Sequence, residues 1–259
     1  MASETTTYTP TEMMASVAAR ELKDGDVVFV GIGLPNLACN LARAMHAPRL
    51  VLIYESGAVG AVPDRLPVSI GDPSLVTGSL MVSSMADIFQ SFLQGGKIQV
   101  GFLGGAQIDR WGNINTTVIG GYGKPKVRLP GAGGASAIAI SAQRTLVVSK
   151  LNKRAFPEKV EFVTSPGFRH PSGVTRKELG MPGGGPVKVI TDKCVLEYDE
   201  SFGELVASAL YPGVTLADVK AGVGWDLKSK KTLPVIPAPS EKELKLLREV
   251  LDPKKLYLK

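Results

Sequence analysis

In the N-terminal part of the chain, two short apolar runs are separated by a segment whose apolar residues recur at helical spacing. Residues 26–31 and 49–54 are almost continuously apolar, as strands buried on both faces are. Between them the sequence Gly-Leu-Pro turns the chain, and residues 36–46 show the spacing of a helix with one apolar side. The order strand, helix, strand predicts an α/β fold whose neighbouring strands run parallel.

Helix starts are marked by the capping-box pattern, in which a Ser or Thr is followed three residues later by a Glu. The pairs are Thr9 with Glu12, Ser201 with Glu204, and Ser240 with Glu243. Each pair precedes apolar positions at helical spacing and therefore predicts a helix. Another helix is expected after Ser84, and Gly95-Gly96 should end it. Its core-facing stripe comprises Met85, Ile88, Phe89, Phe92 and Leu93.

The remaining apolar runs predict further strands at 98–103, 145–148, 160–163, 187–190 and 194–198. Neither a repeat of fixed period nor a low-complexity linker interrupts them. We therefore predict a single domain over residues 1–259. It should be an α/β domain built on an open, mostly parallel sheet flanked by helices.

Composition and charge narrow the function classes. The net charge is +6, and the residues after position 219 hold ten Lys/Arg against five Asp/Glu. The signs alternate along the predicted last helix, as on a solvated helix face, so nucleic acid is not an expected partner. No apolar run reaches the roughly 18 residues that span a bilayer, so no membrane partner is expected either. The two cysteines and two histidines lack metal-ligand spacing. They predict no metal site and favour a reducing, cytoplasmic location.

The first candidate for chemistry is the Gly31-Ile-Gly33 turn after the first predicted strand. A dinucleotide site would add a third glycine at position 36 and an acidic residue about 20 residues further on. Asn36 replaces that glycine, whereas Glu55 stands where the acid would be. Two interpretations stay open at this point, a nucleotide site with a damaged motif and a tight strand-to-helix turn, and the missing glycine favours the turn.

Glu55 is the second candidate, because it follows the apolar run 49–54 directly. The carboxyl ends of parallel strands are where open α/β sheets hold their ligands. Ser56 and Gly57 provide a sharp turn that can present the carboxylate outward. The alternative is a Glu that only stabilises a turn or caps a helix.

A glycine-rich loop at residues 129–135 is the third candidate. Gly131, Gly133 and Gly134 allow the backbone to come close to a ligand, so that N–H groups can face an anion or a carbonyl oxygen. Many loops of this composition are only turns, and that alternative stays open here as well.

The order of these motifs resembles the β subunit of the family I coenzyme A transferases, and most closely the glutaconate CoA-transferase branch. The resemblance also rests on Gln-Ile-Asp-Arg-Trp-Gly-Asn at 107–113 and Gly-Val-Gly-Trp-Asp at 222–226, and it runs through nearly the whole chain. Family members commonly carry Ser-Glu-Asn-Gly around a catalytic glutamate. Here Tyr54-Glu55-Ser56-Gly57 stands in that place, so Glu55 and Gly57 match and the flanking residues do not.

The resemblance implies a heterooligomeric transferase that moves CoA between a carboxylic acid, which can be a dicarboxylic acid, and an acyl-CoA. Glu55 would form an anhydride and then a glutamyl-CoA thioester. A separate α subunit would complete the site, and no cofactor beyond the CoA thioester substrate would be needed. The substrate and CoA contacts would come from Gly31, Gly33, Ser56, Gly57, Gly131, Gly133 and Gly134.

Two alternatives remain at the level of the sequence. Relatives within the branch hydrolyse a ring or decarboxylate a CoA thioester, and Glu55 would then act as a base. The chain could also be a non-catalytic partner that scaffolds an active α subunit. The sequence does not discriminate among acids, acyl-CoA substrates or subunit stoichiometries.

Overall fold

The computed structural model describes residues 7–258 and is built around a nine-stranded sheet. Its strands are β1 (Val27–Phe29), β2 (Val51–Ile53), β3 (Ala58–Val59), β4 (Met81–Val82), β5 (Val100–Leu103), β10 (Arg144–Val148), β11 (Pro186–Ile190), β12 (Cys194–Asp199) and β13 (Glu204–Leu210). Two small hairpins lie outside it, β6 (Gln107–Ile108) with β7 (Ile114–Asn115), and β8 (Val118–Gly121) with β9 (Lys124–Arg128).

The strand order is β13-β12-β11-β10-β5-β1-β2-β3-β4. The five central strands, β11, β10, β5, β1 and β2, run parallel, and the strands beyond them at both edges run antiparallel. This arrangement confirms the predicted open, mostly parallel sheet. That residues 1–259 form a single domain stays a prediction.

Helices cover both faces of the sheet. They are α1 (Pro10–Arg20), α2 (Leu34–Met45), α3 (Met85–Asp87), α4 (Ala135–Ser141), α5 (Leu216–Lys220) and α6 (Glu241–Lys245). Wider π-helical turns prolong α3 over Ile88–Gln94 and α6 over Leu246–Leu251. Within residues 7–258, no helix combines the length and the apolar character that crossing a bilayer demands.

Successive residues of the central strands belong to two different apolar cores. Val28 and Leu52 pack on the side of α1 and α2, whereas Phe29 and Ile53 pack on the opposite side. Since both faces of each strand are buried, the strands read as unbroken apolar runs rather than alternating ones. The same order brings the carboxyl ends of β1, β2 and β5 side by side.

Two of the three predicted capping boxes are confirmed. Thr9 accepts a hydrogen bond from the N–H of Glu12, and Ser240 accepts one from the N–H of Glu243. Ser84 likewise caps α3 through the N–H of Asp87. The stripe that follows is only partly confirmed, because Ile88 and Leu93 are buried but Met85 is exposed.

The helix predicted after Ser201 is wrong, because Glu204–Leu210 form strand β13. The Ser201 hydroxyl donates to Asp199 within a turn, and Glu204 pairs with Arg110 at 2.5 Å instead of returning to Ser201. Six of the seven β13 residues are buried. Tertiary burial of this apolar run therefore outweighs the local capping pattern.

The strand predicted at 160–163 is also wrong. This segment is irregular, and the N–H groups of Val160 and Glu161 bond to side chains. The N–H of Glu161 donates to the Gln107 side chain at 3.2 Å, and that of Val160 lies 3.4 Å from an Asp109 carboxylate oxygen. The buried N–H of Val160 needs a partner, and a side-chain oxygen of the 107–113 segment supplies it.

Candidate active site

Glu55 occupies a tight hairpin turn between β2 and β3. The N–H of Tyr54 donates to the carbonyl of Ala58 at 2.9 Å, and the N–H of Gly57 donates to the carbonyl of Tyr54 at 3.0 Å. These bonds leave Glu55, Ser56 and Gly57 as a three-residue connection, a length common in hairpins with a glycine in the third position. The predicted sharp turn is therefore present, and it holds the half-buried Glu55 at the carboxyl end of β2.

Gly57 makes this turn possible. Its φ of 112° is a conformation that residues with side chains rarely adopt. A Cβ atom at this position would lie 2.0 Å from the carbonyl oxygen of Ser83, whose N–H donates to the Gly57 carbonyl. The backbone beyond β4 therefore packs directly on the turn that carries Glu55.

Tyr54, the neighbour of Glu55, anchors the other side of β2. Its side chain is fully buried, and its hydroxyl accepts a hydrogen bond from the Asn36 side chain at 2.6 Å. Burial raises the pKa of this hydroxyl, so it stays protonated. Asn36, which stands where a dinucleotide motif would have glycine, thus ties α2 to β2. This contact gives Asn36 a structural role and favours the strand-to-helix turn over the nucleotide site.

A cavity of about 240 Å³ opens beside Glu55, at the carboxyl ends of β1, β2 and β5. Of the residues that the structure describes, Glu55 is the one with a charged side chain in its lining. The walls are apolar side chains and glycines: Phe29, Val30, Gly31, Ile70, Phe102, Leu103, Gly104, Ala132, Gly133, Gly134, Ala135 and Ile138. A larger crevice of about 550 Å³ lies elsewhere, beside Arg110 and Trp225. The smaller cavity is the better candidate because it places a carboxylate among apolar walls and backbone donors.

Gly134 brings the glycine loop against Glu55. A Cβ atom at Gly134 would lie 3.6 Å from the carboxyl carbon of Glu55 and 2.5 Å from a ring carbon of Phe89. The contact with Phe89 is too close for any residue with a Cβ, whereas the distance to the Glu55 carboxyl carbon is an ordinary van der Waals contact. Over residues 7–258, the N–H groups of Gly133 and Gly134 donate to no backbone carbonyl, whereas the N–H of Ala135 is bonded to the carbonyl of Ala132. Two backbone donors without a backbone partner therefore belong to residues that line the same cavity as the carboxylate.

The 107–113 motif supports this loop from a distance. Asp109 is buried in the β6–β7 turn and accepts hydrogen bonds from the N–H groups of Trp111 and Asn113, each at 3.0 Å. Burial raises the pKa of Asp109, against the opposing effect of these donors. Immediately after β7, the carbonyl of Thr116 accepts the N–H of Gly131 at 2.8 Å. The motif therefore organises the β6–β7 turn, shortly before Thr116 contacts the glycine loop, and none of its residues lines the cavity.

Arg176 holds the other end of α4, and no pattern in the sequence indicated it. Its buried guanidinium donates to the carbonyls of Ala139 and Ile140 at 2.5 and 2.9 Å, and to that of Gly183 at 2.8 Å. Burial lowers the pKa of this guanidinium. A cation suits the carboxyl end of a helix, where unpaired carbonyls carry partial negative charge. Arg176 thereby fixes the helix whose first turn follows Gly134.

Replacing Arg176 with alanine should lower the free energy of unfolding by roughly 2–4 kcal/mol, because several buried carbonyls would lose charge-assisted hydrogen bonds. Urea denaturation measures the difference. Arg169→Ala is the matched control, since the Arg169 side chain is exposed in the same loop region. Equal losses in the two variants would show that Arg176 does not clamp α4.

The structure brings four of the predicted site residues to one cavity, namely Gly31, Glu55, Gly133 and Gly134. The others lie outside its lining: Gly33 precedes α2 with a φ of 103°, Ser56 is exposed, Gly57 packs on Ser83, and Gly131 is bonded to Thr116. The apolar residues of the cavity lining were not predicted from the sequence. Gly104 could have been predicted as a site residue, because it directly follows a predicted strand, as Glu55 does.

The sequence matches the family model described as coenzyme A transferase over residues 11–222. The chain belongs to the coenzyme A transferase family. It is 52% identical to one subunit of the 3-oxoadipate CoA-transferase of Pseudomonas knackmussii, over 93% of this chain and 92% of that one. The corresponding subunit of the glutaconate CoA-transferase of Acidaminococcus fermentans is 37% identical, over 98% of this chain and 96% of its own. The crystal structure of that glutaconate enzyme superposes with a TM-score of 0.90 and covers 98% of both chains.

These similarities confirm the predicted family and its glutaconate-like branch, and they identify the chain as part of a transferase. The fold of a decarboxylase, AibA/AibB, is also close, with a TM-score of 0.82, but its sequence is only 26% identical. The subunits named for CoA transfer are more similar than this decarboxylase. Transfer of CoA is therefore favoured over hydrolysis, decarboxylation or a purely structural role.

Proposed function

We propose that the CoA-transferase reaction of this chain proceeds through Glu55 as the nucleophile. The observation that carries the proposal is the position of Glu55 as the one charged side chain, among residues 7–258, in an apolar cavity that Gly133 and Gly134 also line. A carboxylate is a weak nucleophile, so it needs a dry, positioned environment to attack a thioester. The cavity offers such an environment.

In the proposed reaction a Glu55 oxygen attacks the acyl-CoA carbonyl carbon, and the C–S bond breaks from the tetrahedral intermediate. CoA leaves as a thiolate and an acyl-glutamyl anhydride remains. The thiolate then attacks the Glu55 carbonyl, which releases the first acid as a carboxylate and leaves a glutamyl-CoA thioester. The acceptor carboxylate attacks this thioester, and the same steps in reverse give the new acyl-CoA and free Glu55. No water is consumed.

The glycine loop would stabilise the negative charge that develops in each tetrahedral intermediate. Gly133 and Gly134 line the cavity together with Glu55, and among residues 7–258 their N–H groups have no backbone carbonyl as partner. One donor of this kind is typically worth about 3 kcal/mol of the activation barrier. The apolar walls Phe29, Phe102 and Ile138 would limit the access of water to the anhydride.

For the acid we propose a short dicarboxylic acid. Two relatives that are 52% and 37% identical to this chain over more than nine-tenths of its length are named for 3-oxoadipate and glutaconate, which are both dicarboxylates. Each relative is also named as one subunit of its enzyme, and we propose that this chain, too, works with an α subunit. Such a partner would add residues to a cavity in which Glu55 is the one charged side chain among residues 7–258.

The proposed nucleophile can be trapped. The α and β subunits, purified together, are incubated with an acyl-CoA without acceptor acid, and the mass of the β chain is measured by mass spectrometry. We expect a mass increase equal to CoA minus water, and hydroxylamine should convert it to a hydroxamate on the peptide that contains Glu55. Release of free CoA at the turnover rate with no adduct would instead indicate hydrolysis, with Glu55 as a base.

A further inference from the structure

Exposed apolar side chains are concentrated between residues 62 and 85. The 62–85 surface consists of Val62, Val68, Ile70, Val76, Leu80, Met81, Val82 and Met85. Leu80 is 77% exposed and Val82 is 61% exposed. Single exposed apolar residues are ordinary, but a group of this size in one stretch of chain indicates a surface that another molecule covers.

Exposed charge on the 62–85 surface is confined to Asp64 and Arg65, at its start. Between Leu66 and Ala86 the sole charged residue is Asp72. Its side chain is buried and forms a two-pronged ion pair with Arg65, both distances being 2.8 Å. The pairing with Arg65 holds the pKa of Asp72 well below its usual range, so this carboxylate stays paired at neutral pH. With no free cation or anion between Leu66 and Ala86, neither nucleic acid nor an anionic membrane suits this stretch.

The surface includes an open sheet edge. Strand β4 is the last strand of the sheet on this side, and both of its residues are exposed and apolar. Proteins usually protect such an edge with charges, proline or a covering element. β4 carries neither charge nor proline.

The edge is held in place rather than loose. The N–H of Leu80 donates to the carbonyl of Val59 at 2.9 Å, and the N–H of Val62 donates to that of Thr77 at 2.8 Å. The ion pair of Arg65 with Asp72 closes the loop that leads to β4. A surface that is ordered before binding loses little conformational entropy when a partner docks.

The 62–85 surface is continuous with the cavity beside Glu55. Ile70 lines that cavity, and Ser83, which follows β4, packs on Gly57 in the Glu55 turn. A molecule that covers this surface would therefore lie next to the carboxylate. It could close the open side of the cavity and exclude water from it.

We propose that the 62–85 surface is where the α subunit docks, with its contact centred on the edge strand β4. This inference rests on the proposed function, from which the α subunit comes. A rigid, mostly apolar patch whose edge strand carries no charge fits a lasting subunit contact. Its position beside Glu55 explains how one contact can both assemble the enzyme and complete its active site.

The test uses two matched valines on opposite edges of the sheet. Val82 on β4 is 61% exposed, and Val235, which bridges to Leu210 of β13, is 60% exposed. Each is changed to aspartate in the chain co-expressed with its α subunit, and association is measured by size-exclusion chromatography with light scattering. Val82→Asp should weaken association at least about tenfold, because a charge would be buried without a partner. Val235→Asp should associate normally.

Two further measurements make the result decisive. Val68→Asp, outside β4 and 66% exposed, should weaken association as Val82→Asp does, and circular dichroism checks that each variant is folded. Glu55→Gln should assemble normally, so a failure of the proposed chemistry would leave the docking result intact. Normal assembly of folded Val82→Asp and Val68→Asp would overturn the proposal. It would also be overturned if the β chain alone formed a dimer that Val82→Asp dissolved, since the surface would then bind a second copy.

Discussion

Glu55→Gln is expected to lower the rate of CoA transfer by at least about 10³-fold, because an amide cannot form the anhydride or the thioester. The change removes one charge and keeps the size and shape of the side chain. Glu55 is half-buried in a turn that backbone hydrogen bonds hold, so the turn should persist. The free energy of unfolding should change by less than about 0.5 kcal/mol. Steady-state transfer assays and urea denaturation measure the two effects.

Two controls separate nucleophilic attack from a general electrostatic effect. Glu249→Gln removes an exposed carboxylate from the helix at the other end of the chain and should leave transfer unchanged. Glu55→Asp keeps a carboxylate but shortens its reach, so it should retain a small part of the activity and still form a CoA adduct. Full activity of Glu55→Gln would exclude Glu55 as the nucleophile.

The central sheet could be predicted because its signal is local. The segments 26–31 and 49–54 are apolar after their first residue, and burial on both faces of a strand demands that composition. Ser201 shows the limit of local signals. Its spacing to Glu204 matches a capping box, yet the residues that follow are buried as a strand and Glu204 pairs with Arg110 from a distant turn. Such long-range contacts are invisible to a pattern of three or four residues.

The candidate site, too, could be predicted only where its residues carry a local signal in the sequence. Glu55 was found because it directly follows a strand, and the glycine loop because its composition is unusual. Their meeting depends on the strand order, which places β5 and β1 next to β2 and sets α4 against them. Arg176 could not be found, because its role depends on the free carbonyls of a helix nearly forty residues earlier in the chain. The 62–85 surface was missed because exposure at an edge is a property of the folded sheet.

Gly57→Ala is expected to damage both stability and catalysis. The new Cβ would lie 2.0 Å from the Ser83 carbonyl oxygen, at a φ of 112° that alanine rarely adopts. Strain and overpacking together should lower the free energy of unfolding by about 2–4 kcal/mol. Glu55 lies two residues away in the same turn, and a displacement of about 1 Å can cost roughly 10²-fold in rate. Urea denaturation and transfer assays on folded protein measure these effects separately.

Gly173→Ala is the matched control for the backbone conformation. Gly173 has a φ of 100°, but a Cβ there would meet no atom within 4 Å. The substitution should therefore lower the free energy of unfolding by the backbone strain alone, about 1 kcal/mol. The rate of CoA transfer should not change. The difference between the two variants then measures the contact of the Glu55 turn with the segment that follows β4. Since that segment belongs to the 62–85 surface, a large difference would mean that the docking edge and the catalytic turn are one rigid unit. Equal effects on stability and activity would mean that the turn tolerates movement, and the close approach at Gly57 would have no part in placing Glu55.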